Sequence, residues 1–173
     1  MSTRASWLPL LTCAALLLAA PAAAKEYRLH IGDAMPDLTL PRLDGGRLRL
    51  GSLQGKLVAI SFYSPYCEPC ERELPVLKRV VARVARDTGV GIVTVIIVTE
   101  GRPTDALVKQ HAHARWLLDE KDRARAAFDP GTFPCTFLVD EKGTVRHINR
   151  GFGAGYEARV EKWLRGLATG KAR

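Results

Sequence analysis

The chain has 173 residues, 47% of them hydrophobic and 25% charged, with a formal net charge of +8. That length suits one domain with a real core, and the composition excludes a disordered or fibrous chain. Lys and Arg alternate with acids in "ERELPVLKRVVARVARD" and "DEKDRARAAFD", with no basic cluster interleaved with aromatics, so the charge reads as solvated helix faces and gives no nucleic-acid site.

In chain order, residues 1–24 stand apart. "MSTR", the apolar "WLPLLTCAALLLAA" and the small residues of "PAAA" have the layout of a secretory signal peptide, with Ala22 and Ala24 at the small-residue positions of the cleavage site. The apolar run is short for a membrane span. Retained, it would serve as an N-terminal anchor. Cleavage would remove Cys13 and leave Cys67, Cys70 and Cys135 in a domain spanning 25–173, outside the cytosol and in a periplasmic or similar compartment where disulfides persist.

The mature part opens with "DLTL" and "RLRL" around Asp44-Gly45-Gly46, a hairpin signal. "KLVAISFY" is a continuous apolar run of strand length, expected to be buried on both faces. From Cys70 to about Asp87 the pattern is helical, with Leu77, Val80, Val81 and Val84 on one face, Pro75 expected to kink it and Gly89 to close it. "GIVTVIIVT" is a second buried strand. "RPTDALVKQHA" reads as a helix capped by Thr104 or Asp105, "ARWLLD" as a strand, and "KDRARAAFD" as a short helix. "CTFLVD" and "TVRHIN" form a hairpin turning at Gly143, and "GYEARVEKWLRGLAT" is a closing amphipathic helix. The β-α-β segment implies a parallel pair with a right-handed crossover, and the later hairpin adds an antiparallel pair. The expected fold is α/β, a mixed sheet with helices on both faces and an N-terminal β-hairpin extension.

The chemistry concentrates in "SFYSPYCEPCERELP". Cys67 and Cys70 are two residues apart where an apolar strand gives way to a helix, a spacing and context that mark a redox pair. The N–H groups and dipole at a helix N-terminus stabilise a thiolate, so Cys67 is the expected nucleophile. Cys70, one turn on and on the same side, is the expected resolving thiol. Pro69 stiffens the first turn at little cost in hydrogen bonds. Glu68 favours the helix dipole but repels an adjacent thiolate, which points towards a reducing pair.

These residues resemble the extracytoplasmic TlpA/ResA-like group of thioredoxin-fold thiol-disulfide oxidoreductases. Tyr66 stands where the family usually has Trp, Pro75 matches its helix proline, and Glu73 matches an acidic position implied to assist proton transfer. "GTFPCTFLVDEKGTV" is similar to the cis-proline loop, which implies that Pro134 is the cis residue and that Phe133 touches substrate, and "DAMPDLTLPRLDGGRLRLGSLQGK" is similar to the family's added N-terminal hairpin. The resemblance spans roughly residues 31–168 and implies a thioredoxin-like domain acting as a monomer without a dissociable cofactor. It implies substrates among disulfide-containing exported proteins, apocytochrome c included, and a membrane electron donor of the DsbD type. Ser61 departs from the family of cytosolic thioredoxins, which carry a buried Asp six residues before the first cysteine, and this turns attention to Glu73 as the proton acceptor.

Cys135 is a second departure, since Thr is common after that proline. It is expected near the Cys67–Cys70 pair, as a buried small side chain, as an auxiliary thiol, or as the third ligand of a Cu(I) or Zn site. The metal-binding reading with Cys67, Cys70 and Cys135 stands as the alternative function, beside a disulfide oxidase or isomerase on the same fold. His111 and His113 read as surface histidines. A peroxidase of the peroxiredoxin kind needs Thr or Ser three residues and Pro seven residues before its reactive cysteine; Cys67 has Ser64 but Ile60, and the pattern fails.

Overall fold

The computed structural model describes residues 27–170. The signal segment, its cleavage site and Cys13 lie outside the described residues.

The sheet forms where apolar runs are long enough to be buried on both faces. β3 (Leu57–Tyr63) is buried at every position and lies at the centre. It pairs in parallel with β4 (Ile92–Val98), which pairs in parallel with β5 (Arg115–Leu118). On its other side β3 pairs antiparallel with β6 (Cys135–Val139), and β6 with β7 (Val145–Arg150). The order is β5-β4-β3-β6-β7. A separate antiparallel pair, β1 (Thr39–Pro41) and β2 (Arg47–Arg49), is the expected N-terminal hairpin. Gly45 and Gly46 turn it at φ 100° and 74°, a region that side-chain-bearing residues rarely enter. A 3-10 turn over 50–53, with Leu50 and Leu53 buried, follows the hairpin and was not legible as an element.

Four helices flank the sheet: α1 (Glu68–Thr88), α2 (Asp105–Gln110), α3 (Arg123–Phe128) and α4 (Tyr156–Ala168). Strand alternation sorts the central side chains to two faces. Ala59 of β3 and Leu138 of β6 meet Leu77, Val80 and Val84 of α1 and Val160 and Leu164 of α4. Val58, Ile60, Phe62, Cys135, Phe137 and Val139 point the other way, into a core closed by the hairpin region and by Phe128 of α3. The helices do lie on both faces.

The caps follow local chemistry. Thr104 accepts from the Leu107 N–H and starts α2. Gly89 ends α1 in the left-handed region at φ 72°. α1 runs unbroken through Pro75. α3 is capped from a distance: both carboxylate oxygens of Asp119, at the end of β5, accept from the N–H groups of Ala124 and Arg125.

Candidate active site

Cys67 is the N-cap of α1, half-buried, in the extended conformation that ends β3's run and opens the helix. It forms a disulfide with Cys70, the Cα atoms 5.3 Å apart. Cys67 Sγ accepts a hydrogen bond from the Cys70 N–H at 3.2 Å. The same N–H also donates to the Cys67 carbonyl at 2.9 Å, so it is shared at the helix start, where a negative sulfur gains both a hydrogen bond and the helix dipole. Cys70 is fully buried, packed with Tyr63, Leu74, Ile96, Val98 and Trp116. An incoming disulfide can reach Cys67 first; Cys70 can act only from behind it.

Pro69 occupies the first turn, where no intrahelical N–H bond is lost. Glu68 is exposed and faces Arg72, one turn on, at 3.6 Å. The guanidinium offsets part of the repulsion expected between Glu68 and a Cys67 thiolate. Tyr66 projects into solvent with 80% of its surface exposed, the largest exposed aromatic beside the pair. The bond between Phe133 and Pro134 is cis, and Phe133 is half-buried, touching both the cluster around Cys70 and the core on the hairpin side.

Glu73 is not a solvated helix residue: its exposure is 0%. Its carboxylate lies between helix and sheet. Ser61 Oγ of β3 donates to Oε2 at 2.6 Å, and Thr136 Oγ1 of β6 donates to Oε1. The Thr136 hydroxyl is 3.0 Å from Tyr156 OH of α4, which sits near enough to favour the ionised carboxyl as well. Burial drives the Glu73 carboxyl above the usual carboxylate range, and the three hydroxyls pull it part of the way back. Burial likewise raises the Tyr156 phenol well above its ordinary value, with the nearby Glu73 charge adding to the rise. The carboxyl rises from α1 to meet Ser61, the β3 position where cytosolic thioredoxins carry their own buried acid. Thr136 and Tyr156 were not singled out from sequence. For Thr136 a signal existed: on β6 it alternates with Cys135 and must face α1 if Cys135 faces away. For Tyr156, eighty-three residues from Glu73, no local signal exists.

The expectation that Cys135 belongs with the pair is corrected. Strand alternation turns it to the opposite sheet face, opposite Phe62 in the β3–β6 register and inside the core on the hairpin side. It is fully buried and free, and burial pushes its thiol up to about 12. It holds no thiolate near neutral pH. Among the described residues no group of three or more His, Cys, Asp or Glu side chains is placed to hold a metal ion, so the three-sulfur site is not assembled. His111 also departs from expectation. It closes α2, with 1% exposure and a ring Nε2 without a hydrogen-bond partner, while His113 is exposed, 5.8 Å away between ring centroids.

A half-exposed cysteine capping the helix that follows the central strand, bridged to a buried second cysteine, defines a dithiol–disulfide exchange site on a thioredoxin fold. Residues 31–148 match the AhpC/TSA family. A thiol-disulfide oxidoreductase named ResA, from Geobacillus kaustophilus, is 32% identical over 132 residues, covering 73% of each chain. Among solved structures, a proposed thiol:disulfide interchange protein DsbE from Chlorobium tepidum superposes with a TM-score of 0.71 at 24% identity, covering 81% of this chain and 99% of that one. A secreted disulfide oxidoreductase from Mycobacterium tuberculosis, described as homologous to DsbE of E. coli, gives a TM-score of 0.61 at 20% identity, over 76% and 96% of the two chains. The chain belongs to the AhpC/TSA family, in its thioredoxin-fold branch of ResA-like thiol-disulfide oxidoreductases.

Proposed function

We propose that the protein reduces disulfides of exported proteins outside the cytosol, the 1–24 segment acting as its export signal. The observation that carries this reading is the asymmetry of the pair: Cys67 half-exposed at the N-cap, Cys70 fully buried behind it, and a buried carboxyl, Glu73, one turn further along the same helix. The reduced Cys67 thiolate attacks one sulfur of a partner disulfide. A mixed disulfide forms and the other partner sulfur leaves with its electron pair. Cys70 gives its proton to Glu73 and attacks Cys67 Sγ. The Cys67–Cys70 bond forms, the partner's second sulfur is released, and two electrons have passed to the partner.

The reducing direction is supported by acidity around the pair. Glu68 and Glu71 lie in the first turn of α1 and Glu73 is buried just beyond. Carboxylates disfavour a thiolate, and a pair whose reduced form is less stabilised is a stronger reductant. Tyr66, Glu68, Pro69, Phe133 and Pro134 would receive a partner strand beside Cys67. Apocytochrome c awaiting haem is the substrate class favoured by the likeness to ResA, and a membrane donor of the DsbD type would restore the dithiol to a monomeric protein. Equilibration with glutathione or dithiothreitol buffers tests the direction. A potential near that of thioredoxin, about −270 mV, is expected; one near about −120 mV would make the protein an oxidase and overturn the reading.

A further inference from the structure

The oxidised pair is left with a problem that the exchange steps do not solve. Glu73 must hold a proton in one half of the cycle and none in the other, in a site shut off from water. A buried group that changes charge strands hydrogen-bonding capacity in one of its two states unless its partners change with it.

The partners here are all hydroxyls, drawn from three different elements: Ser61 on β3, Thr136 on β6 and Tyr156 on α4. A hydroxyl both donates and accepts, and its hydrogen turns freely, whereas an arginine or lysine only donates. With Glu73 ionised, Ser61 donates to Oε2, Thr136 to Oε1, and Tyr156 to Thr136. With Glu73 protonated on Oε1, the carboxyl donates to Thr136, Thr136 donates to Tyr156, and Ser61 still donates to Oε2. In both states each carboxyl oxygen keeps a hydroxyl partner.

We propose that Ser61, Thr136 and Tyr156 are positioning residues for the reaction, a hydroxyl clamp that satisfies Glu73 in both protonation states without moving a heavy atom. The inference rests on Glu73 being the proton acceptor of Cys70. Preorganised partners of this kind lower the reorganisation needed when charge appears in a dry site. The other groups that bear on Glu73 are neutral. Cys70, on its own helix, is a disulfide or a thiol; Cys135, on the far face of β6, keeps its proton. Among the described residues the groups that bear on the Glu73 charge are hydroxyls, with no Lys, Arg or His among them. The hydroxyl bonds favour the ionised form, so removing one makes Glu73 harder to ionise.

The test isolates the step in which Cys70 attacks. The mixed disulfide of Cys67 with 2-nitro-5-thiobenzoate is prepared on the purified protein, and release of the coloured thiolate is followed between about pH 5 and 9. The natural protein is expected to show an inflection that Glu73→Gln abolishes. Thr136→Val and Tyr156→Phe are expected to move that inflection upward, slowing release about three- to tenfold just above the original inflection. Thr136→Ser, which keeps the hydroxyl, is expected to restore the natural profile. An inflection that stays in place in both Thr136→Val and Tyr156→Phe, with only thermal stability reduced, overturns the clamp; so does a Thr136→Ser profile displaced as far as that of Thr136→Val. A Glu73→Gln protein that retains the inflection removes Glu73 from the reaction, and the broader reading of its role falls with the clamp.

Discussion

At the scale of single residues, the difference between Cys67, Cys70 and Cys135 is one of access and field. Cys67 has a helix terminus and a route to solvent; Cys70 has the helix but no route; Cys135 has neither, and burial holds its thiol at about 12. Cys135 is therefore a packing atom wedged among Phe62, Phe137 and their neighbours. Cys135→Ser buries a hydroxyl in that apolar site and should cost about 1–3 kcal/mol in urea denaturation. Cys135→Ala should cost less and leave the potential of the Cys67–Cys70 pair unchanged. Iodoacetamide should label Cys135 only in urea. A displaced potential in Cys135→Ala, or labelling of the native protein, would return this thiol to the redox chemistry.

At the scale of elements, α1 joins catalysis to the core. Its N-terminus holds the pair, its second turn supplies Glu73, and its later turns bury Leu77, Val80 and Val84 against β3 and α4. A loss at its far end should therefore loosen the fold before it touches the chemistry. Gly89 ends the helix at φ 72°, where a Cβ is strained by about 1 kcal/mol. Gly89→Ala should lower the thermal midpoint by several degrees while the rate at which the Cys67 mixed disulfide resolves at 25 °C stays within a factor of about two. A larger kinetic effect would mean that the C-terminal half of α1 transmits strain to the pair. Most of these elements were legible in the sequence because apolar period and turn residues are local properties. β3 read as a continuous apolar run and β4 as a second buried strand, the Gly45-Gly46 turn and the Gly89 cap as glycines at the ends of patterns. The cap of α3 was not legible, because Asp119 belongs to β5's end and reaches two N–H groups across the connecting turn.

At the scale of the whole molecule, the buried ionisable groups give stability a pH dependence with opposed contributions. Glu73 is raised by burial. In the unfolded chain it ionises near its ordinary value of 4.5, and in the folded protein only at higher pH. Between the two the folded state holds a proton that the unfolded state has lost. Its contribution is thus full below about 4.5 and is lost as pH rises through the folded value. His111 and His147 are lowered, chiefly by burial, from 6.5. They act in the opposite sense, adding stability as pH rises towards 6.5. Comparing the natural protein with Glu73→Gln cancels the histidines. The difference in unfolding free energy, measured in the oxidised state from about pH 4 to 9, should shift steadily in favour of Glu73→Gln as pH rises and then level off. A difference independent of pH would mean that Glu73 titrates alike in the folded and unfolded chains.

By itself the sequence determined the strands, the helices and the paired cysteines, because each depends on residues within a turn or a strand of one another. Even Glu73 came into view, through its match to the acidic position that the resembling family carries three residues after the second cysteine. Only the tertiary structure decided what surrounds it. Ser61, Thr136 and Tyr156 come from three elements distant in sequence, and their meeting at one carboxyl follows from the antiparallel register of β3 with β6 and the packing of α4 on α1. The same register turned Cys135 away. A one-residue difference on a strand exchanges the two faces of a sheet. Thr136 and Cys135 are neighbours in the chain, yet one touches the buried Glu73 carboxyl and the other fills the core behind it.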